Sequence, residues 1–309
     1  MKEHYELIIL GGGPAGLSAG LYAARARLDH VMIEKGVPGG QVLLTDWVDN
    51  YPGFPDGCTG FDLIENMTKH AQRFDLNIET ACVTKVDLEQ DNKKILHLED
   101  GSQVSCDSLI LCNGASANTL DVPGELEMRG KGVSYCGTCD APFYRNMHVA
   151  VVGGGNTAIQ EAEYLTKFAS KVTVIHRRDE LRATKIVQEI AFANDKIDFI
   201  WDSTVTSIEG GTGVERLNLL KRDGSTSVLE VEGVFILIGV TPNNEGLPLE
   251  KLQADNWGFI PTDIETRTCV PGVMAEGDIC SKDVRQIVNA AGEGAVGVLA
   301  AEAYIQNNK

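Results

Sequence analysis

Two short apolar runs, each passing directly into glycines, organise the hydrophobic pattern of the chain. Residues 5–10 (YELIIL) have the pattern of a buried strand and run into the glycine-rich residues 11–16 (GGGPAG). Small and apolar residues then continue at helical spacing through Arg27, and a further apolar run, residues 30–33, ends in Glu34. The pattern therefore predicts a strand, a glycine turn, a helix and a second strand.

The first glycine turn has the residues that dinucleotide binding requires. Gly11 allows a tight turn, Gly13 lets the backbone approach a pyrophosphate, and Gly16 lets helix and strand pack closely. The helix N-terminus then faces the phosphates, and Glu34 stands where a carboxylate accepts hydrogen bonds from a ribose diol. Glycine turns also occur for packing alone, but a strand, turn and helix in this order favour a dinucleotide site.

The same construction recurs later in the chain. Residues 148–152 form an apolar run, the glycine-rich residues 153–158 (GGGNTA) follow it, and residues 172–175 have a further strand pattern. Gly153 stands 142 residues after Gly11. The chain therefore contains an internal duplication of a nucleotide-binding unit.

The two copies differ at one informative position. Where the first copy has Glu34, the second has His176. Three arginines follow it: Arg177, Arg178 and Arg182. An acid suits a ribose hydroxyl, whereas a cationic cluster suits a 2′-phosphate. A short basic run is more often only a solvated turn, but its place in the repeat favours a phosphate site, and we infer two different dinucleotides.

Composition and charge restrict the partners. The chain has 309 residues, with 27 Lys and Arg against 44 Asp and Glu, for a net charge of −17. Such a charge repels a phosphate backbone or an anionic membrane surface, so we expect neither nucleic-acid nor membrane binding. No run of about 18 uncharged apolar residues occurs, and the N-terminus is acidic where a secretory signal is basic. We therefore expect a cytoplasmic protein of about two domains.

Only two of the eight cysteines, Cys136 and Cys139 in the sequence CGTC, have a functional spacing. A dithiol two residues apart suits redox chemistry, and thiol exchange needs a proton donor such as the adjacent Asp140. Asp140 also suits a helix N-cap, and the two roles are compatible. Zinc needs four ligands and no second CxxC exists, so we expect no metal site.

Further strand patterns divide the rest of the chain. Residues 109–114 and their counterpart, residues 234–239, are buried strands that end in glycine turns. Each is followed by a short polar stretch, residues 115–118 and residues 241–246, and these two stretches read as a pair of linkers. The chain is therefore expected to cross twice between two domains.

The last strand pattern, residues 273–275, leads into Gly277 and Asp278, and a final helix is predicted from about residue 286 to 305. In their order and spacing, the two glycine motifs, CGTCD, the basic cluster and this last motif resemble the low-molecular-weight thioredoxin reductases over essentially the whole chain. The resemblance implies an α/β fold with two Rossmann-like dinucleotide-binding domains of the three-layer ββα type, the NADPH domain being inserted into the FAD domain.

The resemblance assigns residues 1–116 and 247–309 to the FAD domain, and residues 117–246 to the NADPH domain that carries the CxxC. The residues expected to bind FAD are Gly11, Gly13, Pro14, Ala15, Gly16, Glu34, Gly40, Gln41, Asn50, Gly114, Asp278, Arg285 and Gln286. Those expected to bind NADPH are Gly153, Gly155, Asn156, Thr157, Ala158, His176, Arg177, Arg178 and Arg182.

The resemblance also implies the electron path, from NADPH to FAD, to the CxxC pair, and then to thioredoxin or a thioredoxin-like protein. Cys139 is the sulfur nearest the flavin, Cys136 is the thiol that attacks the thioredoxin disulfide, and Asp140 is the general acid. The family is homodimeric and rotates one domain against the other, so residues 115–118 and 241–246 are the expected hinges.

Three alternative functions stay open at this point. A flavin-dependent dithiol oxidase keeps the CxxC but has little use for the basic cluster. The second alternative is a reductase of the same fold whose flavin receives its electrons from a donor other than NADPH. A non-catalytic flavin sensor has both glycine motifs but no reason to place CGTCD between them.

Neutralising Arg177 and Arg178 tests the assignment of the second dinucleotide. Because only the pairs with the 2′-phosphate are deleted, we expect NADPH binding to weaken by a few kcal/mol in total and NADH binding to change little. Parallel titrations with the two cofactors measure the difference, and equal losses with both would contradict the phosphate assignment.

Overall fold

The structure, a computed structural model, describes residues 1–45, 47–90 and 93–309. The helices are α1 (Pro14–Arg25), α2 (Gly60–Gln72), α3 (Gly137–Asp140), α4 (Asn156–Leu165), α5 (Lys185–Phe192) and α6 (Ile287–Asn307). The strands are β1 (His4–Leu10), β2 (His30–Glu34), β3 (Ile78–Thr80), β4 (Val83–Gln90), β5 (Lys93–Leu98), β6 (Gln103–Leu111), β7 (Ala115–Ala117), β8 (Val133–Ser134), β9 (His148–Val152), β10 (Lys171–Ile175), β11 (Ile197–Ile200), β12 (Ser203–Glu209), β13 (Arg216–Lys221), β14 (Thr226–Glu230), β15 (Gly233–Ile236), β16 (Val240–Pro242) and β17 (Val273–Ala275). Within these ranges no helix has the length and apolar composition needed to span a bilayer.

The chain divides into two compact units. Unit 1 consists of Met1–Ser116 and Thr241–Lys309, and unit 2, which lies between these segments in the sequence, is Ala117–Val240. The expected second boundary follows residue 246, whereas the structure divides the chain after Val240.

Unit 1 contains a sheet in the order β3-β2-β1-β6-β5-β4, with β17 also paired to β6. The strands β1, β2, β3, β6 and β17 run parallel, whereas β4 and β5 are antiparallel neighbours. Successive β1 residues alternate between two cores, as the pleat of a strand requires. Leu7 packs in a core with Leu17 of α1 and Leu63 of α2, and Ile8 packs in a second core with Leu96 of β5.

Unit 2 repeats this arrangement. Its parallel sheet has the order β11-β10-β9-β15-β8, and β12, β13 and β14 form a separate antiparallel sheet. Val149 and Val151 of β9 pack in one core with Ile159 of α4, while Ala150 packs in another core with Leu217 of β13. The order β11-β10-β9-β15 matches β3-β2-β1-β6 of unit 1, so the predicted α/β fold with two Rossmann-like units in three layers is confirmed.

The two stretches expected to be linkers, residues 115–118 and 241–246, are hydrogen-bonded to each other. Strands β7 and β16 form a two-stranded sheet. Hydrogen bonds flank it on both sides, from the Asn118 N–H to the Gly239 carbonyl and from the Asn243 N–H to the Gly114 carbonyl, each 3.0 Å long. Pairing satisfies backbone groups that single strands would leave to water.

Phe235 on β15 provides a test of the core of unit 2. Its side chain is fully buried and meets the Tyr144 ring edge-on, with 5.1 Å between ring centroids. We expect Phe235→Ala to lower the free energy of unfolding by about 3–5 kcal/mol, because it leaves a cavity in a packed core. Urea denaturation measures this loss. The control Ile186→Ala changes an exposed side chain of α5, and an equal loss there would show that burial is not the cause.

Candidate dinucleotide and dithiol sites

The first glycine turn, which joins β1 to α1, consists of three residues without side chains. Gly11 has a φ of 107°, in the region that favours glycine, and a Cβ there would meet the carbonyl group of Cys112. A Cβ on Gly16 would collide with the carbonyl oxygen of Gly11, so only glycine lets α1 approach the turn this closely. By contrast, no atom of the described part of the chain lies within 4 Å of a Cβ built on Gly13, the residue before α1. This open helix end therefore has room for a pyrophosphate.

Glu34, the last residue of β2, is held beside the same turn. Its Oε2 accepts a hydrogen bond from the Gly12 N–H at 2.7 Å, and its Oε1 accepts one from the Gly36 N–H at 3.0 Å. Each carboxylate oxygen can accept two hydrogen bonds. Both oxygens therefore keep capacity for the hydroxyls of a ribose.

Two further glycine segments approach the start of α1. A Cβ on Gly40 would lie 3.6 Å from the Cα of Gly13. A Cβ on Gly277 would lie 3.2 Å from the Cβ of Ala15, and Gly277 has a φ of 73°. The segments around these glycines are therefore brought to the first turn from distant parts of the sequence, as expected for a shared binding site.

Asp278 and Arg285 follow Gly277 and fit an anionic or polar ligand. Burial raises the pKa of Asp278, and the positive charges of Lys282 and Arg285 oppose that rise. The Arg285 guanidinium lies 4.5 Å from the centroid of the Phe259 ring. Among the residues that the structure describes, the buried Nε of Arg285 has no hydrogen-bond partner. A buried N–H without an acceptor suits a site where a bound group supplies one, and these residues therefore fit FAD.

The remaining residues expected at this site make separate contacts. Asn50 Nδ2 donates to Gln286 Oε1 at 3.1 Å, which joins two predicted residues far apart in the sequence. Gln41 Nε2 donates to the Ser116 hydroxyl at 3.4 Å. Gly114 has a φ of 69°, so the turn after β6 also needs glycine.

Sequence patterns alone do not identify Glu293 as a part of this region. From α6, Glu293 Oε2 accepts a hydrogen bond from the Gly277 N–H at 2.7 Å, and both of its oxygens accept from Lys282 Nζ, at 2.6 and 2.8 Å. The carboxylate therefore fixes the turn that carries Asp278. The available signal is that Glu293 is one of two charged residues, with Glu302, in a largely apolar helix.

The second glycine turn, between β9 and α4, repeats the first. Gly153 has a φ of 151°, and a Cβ there would lie 2.7 Å from the Cβ of Ala158. Gly155 precedes α4, and none of the residues described by the structure has an atom within 4 Å of a Cβ built on it. Asn156 Oδ1 accepts a hydrogen bond from the Thr184 N–H at 2.8 Å. Asn156, Thr157 and Ala158 thus form the first turn of a helix with an open N-terminal end.

His176, which the sequence places first in the basic cluster, is a buried side chain beside the second turn. The side chain is buried, and a Cβ on Gly154 would collide with its ring. Burial lowers the pKa of His176, and the nearby charges of Arg182, Arg178 and Arg177 lower it further. The imidazole is therefore neutral at pH 7, and the cationic cluster consists of the three arginines alone.

These arginines lie around the second turn. Arg177 and Arg178 follow β10 after the intervening His176, and all three arginines are exposed. The Arg182 N–H donates to the Gly154 carbonyl at 2.8 Å, which brings this part of the chain to the glycine turn. Three exposed arginines beside an open helix N-terminus fit a phosphate-bearing dinucleotide such as NADPH.

Cys136 and Cys139 form a disulfide, with 5.4 Å between their Cα atoms. Because the sulfurs are bonded to each other, they do not act as zinc ligands in this state. Cys136 directly precedes α3, which ends at Asp140, and both cysteines are partly exposed. The Gly137 N–H between them donates to Glu161 Oε2 of α4 at 2.5 Å. No sequence pattern marks Glu161.

Ser134 and Tyr135, the two residues before Cys136, are held by hydrogen bonds. The buried Ser134 hydroxyl accepts from the Cys136 N–H at 3.1 Å and lies 3.2 Å from the Cys136 carbonyl oxygen. The Tyr135 hydroxyl donates a hydrogen bond to Glu125 Oε1 at 2.7 Å. Burial is the main cause that raises the pKa of Tyr135, and the Glu125 carboxylate raises it further. Tyr135 is therefore a neutral, anchored side chain next to the redox pair.

Two dinucleotide turns and a CxxC disulfide are the parts of a nucleotide-dependent disulfide oxidoreductase. Residues 5–294 match the pyridine nucleotide-disulphide oxidoreductase family, and the chain belongs to this family. It is 43% identical over 313 residues to a thioredoxin reductase of Listeria monocytogenes, covering 100% of this chain and 96% of the relative. It is 44% identical over 315 residues to a thioredoxin reductase of Peptoclostridium acidaminophilum, covering 100% and 99%.

A solved structure gives the same result. The thioredoxin reductase from Streptococcus pyogenes superposes with a TM-score of 0.94 at 41% identity, covering 99% of this chain and 100% of that one. The family resemblance inferred from the motifs is thereby confirmed.

Gly13→Ala tests whether the first turn receives a pyrophosphate. Gly13 has a φ of −71° and open space around it, so we expect the stability of the apoprotein to change by less than about 0.5 kcal/mol. FAD affinity should fall at least about tenfold, because the methyl group takes space needed for close backbone approach. Fluorescence titration of the apoprotein with FAD measures this. Gly36→Ala, also without neighbours within 4 Å, is the control, and equal affinities of the two variants would contradict the assignment.

Proposed function

We propose that this protein is an NADPH-dependent thioredoxin-disulfide reductase, with FAD bound to unit 1 and NADPH bound to unit 2. The observation that carries the proposal is the Cys136–Cys139 disulfide, which lies in the same unit as the second dinucleotide turn. The names of the relatives support thioredoxin or a thioredoxin-like protein as the partner. The proposal includes a homodimer in the cytoplasm, as the family resemblance implies, and light scattering tests the dimer.

The two sets of nucleotide-binding residues have distinct tasks. In unit 1 the turn at Gly13 admits the pyrophosphate, Glu34 accepts hydrogen bonds from the ribose, and Arg285 donates to the bound group. In unit 2 the arginines 177, 178 and 182 pair with the 2′-phosphate. When bound at these residues, FAD would supply the two-electron redox chemistry that connects NADPH with the disulfide.

The CxxC residues then carry out thiol exchange. The Cys136–Cys139 bond breaks as the pair takes up two electrons, and the Cys136 thiolate attacks a sulfur of the thioredoxin disulfide. Cys139 then attacks Cys136 in the mixed disulfide, which restores the Cys136–Cys139 bond and releases the second thioredoxin sulfur. Asp140 donates the proton that a departing thiolate needs. The balance is one disulfide reduced in thioredoxin for each dithiol oxidised in the enzyme.

An anaerobic titration tests the whole path. One equivalent of NADPH is added to the purified holoenzyme, the flavin absorbance is followed, and oxidised thioredoxin is then added. We expect bleaching, followed by recovery when thioredoxin is added. Recovery only in air would indicate a dithiol oxidase, and no bleaching by NADPH would mean that another electron donor supplies the flavin.

Cys136→Ser separates the two half-reactions. Flavin reduction by NADPH should stay intact, because Cys136 has no part in hydride transfer, while thioredoxin turnover should be lost with the attacking thiol. Stopped-flow absorbance measures the first step, and thioredoxin-dependent NADPH oxidation measures the second. Cys269→Ser, which changes an exposed free cysteine of unit 1, serves as the control. Thioredoxin turnover by Cys136→Ser would remove Cys136 from the mechanism.

A further inference from the structure

Glu161 reaches from the second turn of α4 into the loop that closes the disulfide. Its Oε2 accepts the Gly137 N–H at 2.5 Å. A Cβ built on Gly137 would lie 2.6 Å from that oxygen, and its next nearest neighbours would be Cβ and Cδ of the same glutamate. The carboxylate therefore occupies the space that any side chain at position 137 would need.

The position of Glu161 is not that of a surface carboxylate. Burial raises its pKa, and the nearby charge of Asp140 raises it further, while the Gly137 N–H opposes both. A carboxylate held in such surroundings gives up hydration, and the hydrogen bond to the loop offsets part of that loss. The contact is consequently specific to the loop between the two cysteines.

Given the function above, we propose that Glu161 is a positioning residue, which fixes the Cys136–Cys139 loop through Gly137 and so stabilises the disulfide relative to the dithiol. Disulfide formation requires Cα atoms about 4.4–6.8 Å apart, and in the closed disulfide these lie 5.4 Å apart. A loop fixed by this contact keeps the two thiols near each other after reduction. A loosened loop loses conformational entropy each time the bond re-forms.

The consequence is a change in reducing power. When the disulfide is less stable relative to the dithiol, the dithiol is a weaker reductant and transfers its electrons to thioredoxin less completely. We expect Glu161→Ala to shift the dithiol–disulfide equilibrium about tenfold toward the dithiol, which corresponds to about 30 mV for a two-electron couple. Glu161→Gln keeps an oxygen that can accept the Gly137 N–H, so its shift should be less than about threefold.

The equilibrium is measured on the holoenzyme in dithiothreitol redox buffers, with acid quenching, alkylation of free thiols and mass spectrometry. Glu163→Ala is the matched control, since residues two apart on a helix point to nearly opposite sides. We expect no shift for this control. An unchanged equilibrium in Glu161→Ala, or an equal shift in Glu161→Gln and Glu161→Ala, would overturn the positioning role.

Gly137→Ala provides an independent test from the other side of the contact. The added methyl group competes with the carboxylate for the same space, so the equilibrium should shift in the same direction as in Glu161→Ala. The double variant should shift no further than the larger single shift, because both changes remove one contact, and additive shifts would contradict the proposal. The measurement does not use thioredoxin. If NADPH does not reduce the disulfide of the wild-type holoenzyme, the proposed function is contradicted. If NADPH reduces it but the variants have the wild-type dithiol–disulfide equilibrium, only the role of Glu161 is contradicted.

Discussion

The close approach of the first helix of each unit to the turn before it is the constraint on which the rest of the structure depends. In unit 1, a Cβ on Gly16 would collide with the carbonyl oxygen of Gly11, so α1 can start where it does only with bare backbone. In unit 2 the corresponding position is Ala158, and its Cβ fills the space over Gly153. Both helices thus begin directly at the carboxyl ends of their parallel strands, where ligands bind in open α/β sheets.

Duplication of this turn lets one residue after the second strand set the character of each site. Glu34 reaches back to the N–H of Gly12, and the equivalent His176 packs its ring on Gly154. The first side chain offers acceptor oxygens beside the turn, while the second is a neutral ring next to three exposed arginines. The same backbone turn therefore carries acceptor oxygens in one unit and a neutral ring beside arginines in the other.

The features that depend on local sequence were predictable, and those that depend on contacts between distant segments were not. The apolar runs ending in glycines predict β1, α1, β9 and α4, because buried strands and tight turns depend on residues that are neighbours in the sequence. The CGTC spacing likewise predicts the disulfide. The pairing of β7 with β16, the support of Gly277 by Glu293, and the contact of Glu161 with Gly137 each join residues with no shared local pattern. The neutral state of His176 follows from burial, which sequence does not reveal.

The pairing of β7 with β16 brings together the two ends of unit 2. Because the entry and exit strands of unit 2 are hydrogen-bonded neighbours, the first and last residues of that unit, Ala117 and Val240, lie at one place on its surface. A segment whose ends meet can be spliced into a single loop of a host without moving the two host residues on either side. The second unit therefore occupies one interruption of the first unit, whose strands before and after it, β6 and β17, still pair in one sheet.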